Sequence, residues 1–110
     1  MKLDGYKQDR FFIVKVDGRM DAVSAPEFEQ FCRERIEAGE SELVADLGAL
    51  EYISSAGLRS ILVIGKKLKS IGGGLSFSSL TPTVAHVFSI SNFGSMFPVH
   101  DSLNEALGKA

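Results

Sequence analysis

The sequence contains a single cysteine, Cys32, so no disulfide can form within the chain, and the usage fits a reducing compartment. Cys32 stands among Phe28, Phe31 and Ile36, where a small buried hydrophobe is expected rather than a reactive thiol. Only two histidines are present, His86 and His100, and neither is spaced from the cysteine or from the other as a metal ligand would be. No apolar run approaches the ~20 residues of a membrane span. Met1-Lys2-Leu3-Asp4 lacks the opening of a secretory signal, so a soluble cytoplasmic protein without membrane insertion is expected. Positive charge is not in excess either: the formal net charge is −2, which leaves no basic footprint for nucleic acid.

What is present is apolar and patterned. With 110 residues, 45% of them hydrophobic and 24% charged, the chain has the size of one domain around one core. Leu43-Val44-Ala45-Asp46-Leu47 reads as a buried strand bounded by Gly48. Leu58, Ile61, Leu62, Gly65 and Leu68 then recur on one helical face, with Arg59, Lys66, Lys67 and Ser70 on the other. The turn Ile53-Ser54-Ser55-Ala56-Gly57 joins strand to helix.

Upstream, Lys2 to Arg10 reads as an edge strand and hairpin turn, and Phe11 to Val16 as a strand that stops at Asp17-Gly18. Ser24-Ala25-Pro26-Glu27 has the form of a capping box with proline in the first turn, opening a helix whose stripe is Phe28, Phe31, Cys32 and Ile36 and whose end is Gly39. Downstream, Ile71 to Gly74 reads as a flexible connector into a strand at Leu75 to Ser78. Thr81-Pro82 opens a third helix bearing Val84, Val87 and Phe88; a short strand at Phe97 to Val99 and a helix from Asp101 follow. The cluster Phe93, Met96 and Phe97 is expected to belong to the core. The order ββαβαβαβα predicts an α/β domain with a mixed, mostly parallel sheet of four to five strands packed by about four helices. In such sheets ligands and switches gather at the carboxyl ends of strands. That edge is expected to hold Gly18 to Ala22, Asp46 to Gly57 and Ser78 to Pro82, with Asp21 and Asp46 together.

Two serines at a strand-to-helix turn invite a catalytic reading, which the surrounding residues do not support. A nucleophile elbow needs G-x-S-x-G, and Ile53 stands where the leading glycine would be. His86 lies within a helix among apolar neighbours and His100 just before the last one, so neither is placed as a general base, and no enzyme is expected. The residues suit a cap and a modification site instead. One hydroxyl can accept a helix amide, worth ~1 kcal/mol, and a helix N-terminus also favours an added phosphate.

The stretch Asp46-Leu47-Gly48-Ala49-Leu50-Glu51-Tyr52-Ile53-Ser54-Ser55-Ala56-Gly57-Leu58 resembles the signature D-L-S-x-V-x-[FY]-[IM]-D-S-[ST]-G-[LI] of the STAS domain as found in bacterial anti-sigma factor antagonists. Gly18-Arg19-Met20-Asp21 is similar to that family's G-[RE]-L-D, and Ala25-Pro26-Glu27-Phe28 to the opening of its first helix. The resemblance covers the whole chain, residues 1–110, as one STAS domain. It implies a protein that binds an anti-sigma factor serine kinase of the histidine-kinase-like ATPase type. Phosphorylation of the serine before [ST]-G releases it, and a serine phosphatase resets it.

Carried onto these positions, the phosphoacceptor is Ser55, with Ser54 as second candidate. The partner-binding set is Asp21, Asp46, Ser54, Ser55, Ala56, Gly57 and Arg59, with no cofactor or metal implied. Three residues depart from the pattern: Ser54 for aspartate, Gly48 for serine, and Ala56 for serine or threonine. They motivate an alternative, a non-phosphorylated STAS scaffold or soluble subunit of a membrane transport system.

Overall fold

In the computed structural model, which describes residues 1–109, five strands form one sheet in the order β1-β2-β3-β4-β5. β1 (Lys2–Gln8) and β2 (Phe11–Met20) make an antiparallel hairpin, closed by Asp9 and Arg10 with Asp9 at φ 55°. β3 (Glu42–Ile53), β4 (Gly74–Ser78) and β5 (Val99–His100) then add in parallel. The helices are α1 (Ala25–Glu37), α2 (Ser55–Ser70), α3 (Pro82–Ile90) and α4 (Leu103–Ala106), with a 3-10 turn at Phe93–Ser95. The expected α/β order and element number are observed. None of the helices described is long and apolar enough to cross a membrane.

Alternation along the strands divides the apolar residues between two faces. Val14, Val16, Leu43, Ala45, Leu75 and Phe77 point into the larger core with α1, α2 and α3, while Phe11, Ile13 and Val44 face the opposite way and are covered by Ala106 and Leu107 near α4. Cys32 is fully buried in the larger core, and desolvation pushes its thiol up to about 12, so it packs as the sequence suggests. α1 ends in a Schellman motif: Gly39, at φ 105°, donates to Ile36 O while Glu40 N donates to Arg35 O.

Four local expectations are corrected. β2 and β3 do not stop at Asp17-Gly18 and Gly48 but run on to Met20 and Ile53. From the pair Lys15/Asp46 to the pair Asp17/Ala49, β3 advances three residues while β2 advances two. From Gly18/Leu50 to Arg19/Tyr52 it advances two against one. These bulges convert the twofold alternation of a strand into a threefold one, so Leu47, Leu50 and Ile53 are all buried. Second, the buried stripe of α2 is Gly57, Ser60, Ile61, Ile64 and Leu68; Leu58 and Leu62 only flank it.

Third, the glycines after α2 are not a loose connector. A Cβ on Gly73 would lie 2.0 Å from the carbonyl oxygen of Ser41, whose oxygen also accepts from Gly74 N, so glycine here permits a backbone contact. Fourth, the Phe93, Met96, Phe97 cluster divides. Phe97 meets Phe77 edge-on and Phe93 packs at a tilt against Phe88 and Phe97, but Met96 is 50% exposed.

Candidate functional site

The extensions of β2 and β3 deliver two helix starts to one corner of the domain. Ile53 ends β3, and Ser54, in extended backbone at φ −94° and ψ 175°, occupies the N-cap of α2. Its Oγ accepts from Gly57 N at 3.3 Å, and its carbonyl accepts from Leu58 N, so the cap expected from the sequence is formed. Ser54 N in turn donates to Met20 O at 2.9 Å, which fastens the start of α2 to the end of β2. Gly57 lets the two surfaces close: a Cβ there would lie 2.7 Å from Ile53 Cγ1 and 3.1 Å from Met20 Sδ.

Ser55 is the first residue of α2 and is exposed. Its hydroxyl has no hydrogen-bond partner among the described residues, and the first turn of this helix carries no acidic side chain. The amides of a helix start carry partial positive charge, here with no carboxylate of the same turn to offset it. Ala56 is half-buried against the core, and Arg59 is exposed on the next turn.

Across the Met20–Ser54 bond lies the turn from β2 into α1. Asp21 Oδ1 accepts from Val23 N and Ser24 N, both at 3.0 Å, and from Ser24 Oγ at 3.1 Å. Hydrogen bonds from the Ser24 amide, then the Ser24 hydroxyl and the Val23 amide, with the Arg19 charge adding to them, hold the Asp21 carboxyl below its ordinary range. The single proton of Ser24 Oγ is shared between Asp21 Oδ1 and Arg19 O, the carbonyl being closer at 2.7 Å, and the same oxygen accepts from Asp21 N at 2.9 Å.

The expected capping box is therefore absent. Ser24 stands at the N-cap but already has helical dihedrals, φ −91° and ψ −22°, so its hydroxyl turns back into the preceding turn rather than forward to Glu27. The result is a loop closed by its own hydrogen bonds, with Val23 on its outside, 86% exposed.

Asp21, Ser54, Ser55, Ala56, Gly57 and Arg59 thus lie about one corner. Asp46 does not join them. It lies in the middle of β3 beside Lys15 and Ser78, and its Oδ1 accepts from Gly48 N at 3.0 Å across the first bulge. At ~3.3 Å per residue the strand end is on the order of 20 Å further along. The expectation that the two aspartates share one edge fails because β3 outruns β4, which ends at Ser78 opposite Asp46.

Beyond that point Thr81 replaces the missing neighbour, its Oγ1 donating to Leu50 O at 2.9 Å. The sequence pattern of Thr81-Pro82 predicts a serine-like side-chain cap on α3, but the Thr81 hydroxyl is spent on Leu50 O and makes no cap hydrogen bond. The pairing of Arg19 with Tyr52, whose ring the guanidinium covers at 4.3 Å, is not legible in the sequence. Arg19 and Tyr52 are register partners across β2 and β3, a relation that follows only once both bulges are known.

Known proteins resemble this chain in sequence and in fold. The STAS domain model matches residues 2–106. A Bordetella bronchiseptica protein provisionally designated anti-sigma factor antagonist BtrV is 41% identical over 106 residues, covering 96% of this chain and 91% of its own. An anti-sigma factor antagonist structure from Mycobacterium paratuberculosis superposes with a TM-score of 0.89 at 26% identity, covering 97% of this chain and 91% of the other. The anti-sigma factor antagonist SpoIIAA shares the fold at lower identity. Its unphosphorylated form gives a TM-score of 0.83 at 18% identity, with coverage of 96% and 93%; its phosphorylated form, from Bacillus, gives 0.76 at 17%, with 97% of each chain covered. The extent of the family match and the 41% identity agree with the fold and with the sequence pattern from Asp46 to Leu58, and the chain belongs to the STAS domain family.

Proposed function

We propose that this protein is a cytoplasmic anti-sigma factor antagonist working as a phosphorylation switch. Unmodified, it docks an anti-sigma factor that is also a serine kinase; phosphorylated on Ser55, it lets go, and a serine phosphatase restores it. The observation that carries the reading is the separation of roles at the start of α2. Ser54 supplies the cap, and Ser55 is left exposed with an unengaged hydroxyl at the positive end of a 16-residue helix. The docking face comprises Asp21, Ser54, Ser55, Ala56 and Arg59, with Gly57 buried beneath it and Asp46 outside it.

A phosphate on Ser55 adds about −1.5 to −2 charge at pH 7. The helix tolerates it, because the charge meets free amides. A docked partner does not, because the dianion would be buried in the interface near the ionised Asp21. Serine in place of the family's aspartate at position 54 preserves the cap, since both residue types are good N-caps; it removes only a carboxylate beside the acceptor.

The direct test is to incubate the protein with ATP and the histidine-kinase-like anti-sigma factor of its own genome and locate the phosphate by mass spectrometry. Modification of Ser55 is expected. Modification of Ser54 alone would reverse the assignment of the two serines, and no modification of either would overturn the switch.

A further inference from the structure

A second surface lies at the opposite end of α2 from Ser55. Between α2 and the segment that leads from the 3-10 turn into β5 runs an open trough of about 370 Å³, with Leu62, Gly65, Met96 and Phe97 as its apolar floor and Lys66 and Lys69 on its rim. It continues into a second hollow of about 290 Å³ over Gly73, Leu75 and Pro98, at the amino ends of β4 and β5. The floor is firm: Phe97 packs against Phe77 and Phe93 in the core and lies so close to α2 that a Cβ on Gly65 would come within 2.6 Å of its ring. Met96 is the adaptable element, an unbranched and polarizable side chain half exposed over the floor.

The electrostatics of the trough are one-sided. No acidic residue lines either hollow, and neither Lys66 nor Lys69 joins an ion pair among the described residues, although the chain as a whole carries a net charge of −2. The two ammonium groups are spaced three residues apart on one flank of α2, so they repeat at helical spacing beside an apolar strip. The strip from Leu62 to Lys69 is about 10 Å long at 1.5 Å per residue, the length of two helical turns.

We propose that this trough docks an acidic amphipathic helix of a partner protein, its apolar residues at i, i+3 and i+4 on Met96, Phe97 and Leu62 and its carboxylates opposite Lys66 and Lys69. Ser55 and Lys66 are roughly 16 Å apart along α2, and the trough opens at the amino rather than the carboxyl ends of the parallel strands. A helix held there leaves the phosphorylation corner free. The second partner therefore stays bound whichever state the switch is in, and the inference does not depend on Ser55 being modified.

The test uses a fluorescein-labelled synthetic helix of about four turns with leucines on one face and glutamates along one flank, titrated by fluorescence anisotropy with the full chain. Saturable binding is expected, weakened at least tenfold in the double variant Lys66→Glu/Lys69→Glu and in Met96→Asp, and unchanged in Ser55→Asp. The double variant should instead take up a peptide with lysine in place of glutamate. Circular dichroism of each variant confirms that these surface changes leave the fold intact. Absence of saturable binding, equal binding by the double variant, or displacement of the peptide by Ser55→Asp would each overturn the proposal. So would a trough that takes decanoate but no peptide, or one that sediments as a dimer abolished by Met96→Asp.

Discussion

α1 and α2 begin at neighbouring strand ends, each behind a serine, and the two serines do opposite things. Ser24 is buried, and its hydroxyl is used up within the turn by Arg19 O, Asp21 N and Asp21 Oδ1. Ser54 is only half-buried, and its hydroxyl reaches forward to Gly57 N. The dihedral angles account for the difference: extended backbone at Ser54 aims the side chain at the helix amides, whereas helical backbone at Ser24 does not. One start is thus a locked turn and the other a capped helix with a spare hydroxyl beside the cap. The proposed switch sets a hydrogen-bonded turn beside a hydroxyl that the fold leaves unengaged.

The contrast breaks most severely at Gly57. Gly57→Ala forces a methyl into Ile53 and Met20, and the gain in helix propensity does not offset the overpacking. Chemical denaturation should show a loss of about 1–3 kcal/mol, and an unchanged midpoint would mean the corner is looser than described. Ser24→Ala removes the group that satisfies the Arg19 carbonyl and the Asp21 amide in a buried turn. The cost by the same measurement should be roughly 1–3 kcal/mol. Ser54→Ala, which removes a half-exposed cap, should cost less, ~1 kcal/mol, and Ser54→Asp should cost almost nothing. If Ser54→Ala proved as damaging as Ser24→Ala, the two serines would not differ as claimed.

The smallest effect is electrostatic. The Asp21 carboxyl is held below its ordinary value of 3.8 by hydrogen bonds that exist only in the folded turn, so its ionised form favours folding. That contribution is fully present above the unfolded value and is lost as pH falls through the lowered folded value. Unfolding curves of wild type and Asp21→Asn should therefore differ near neutrality and converge below about pH 4. A gap that widened on acidification would contradict the assigned hydrogen bonds.

These elements also divide what a sequence makes legible from what it hides. The hairpin at Asp9, the Gly39 stop, the Ser54 cap and the order of strands and helices follow from local patterns that one energetic term dominates. The lengths of β2 and β3 did not, because their bulges replace a period of two by a period of three, and no single-strand pattern announces a register shift. The same extension separated Asp46 from Asp21 and set Arg19 over Tyr52. Ser24 misled for a subtler reason: a serine, a proline and a glutamate satisfy the capping-box pattern, but Asp21 three residues earlier offered the Ser24 hydroxyl and amide closer partners. Of the candidate site, Ser54 to Arg59 are legible as one local run and Asp21 through its own motif at the end of β2; the placement of Asp46 and the pairing of Arg19 with Tyr52, which depend on the register between β2 and β3, are not.

The central claim is that the charge on Ser55, and not the shape of the corner, decides docking. The measurement that bears on it most directly is the affinity of the anti-sigma factor kinase for wild type, Ser55→Ala and Ser55→Asp by calorimetry, with thermal unfolding of all three alongside. The account predicts equal stabilities within about 0.5 kcal/mol for this exposed position. It predicts equal affinity for wild type and Ser55→Ala, and for Ser55→Asp a loss of at least tenfold, which is ~1.4 kcal/mol. Equal binding by Ser55→Ala and Ser55→Asp would contradict it.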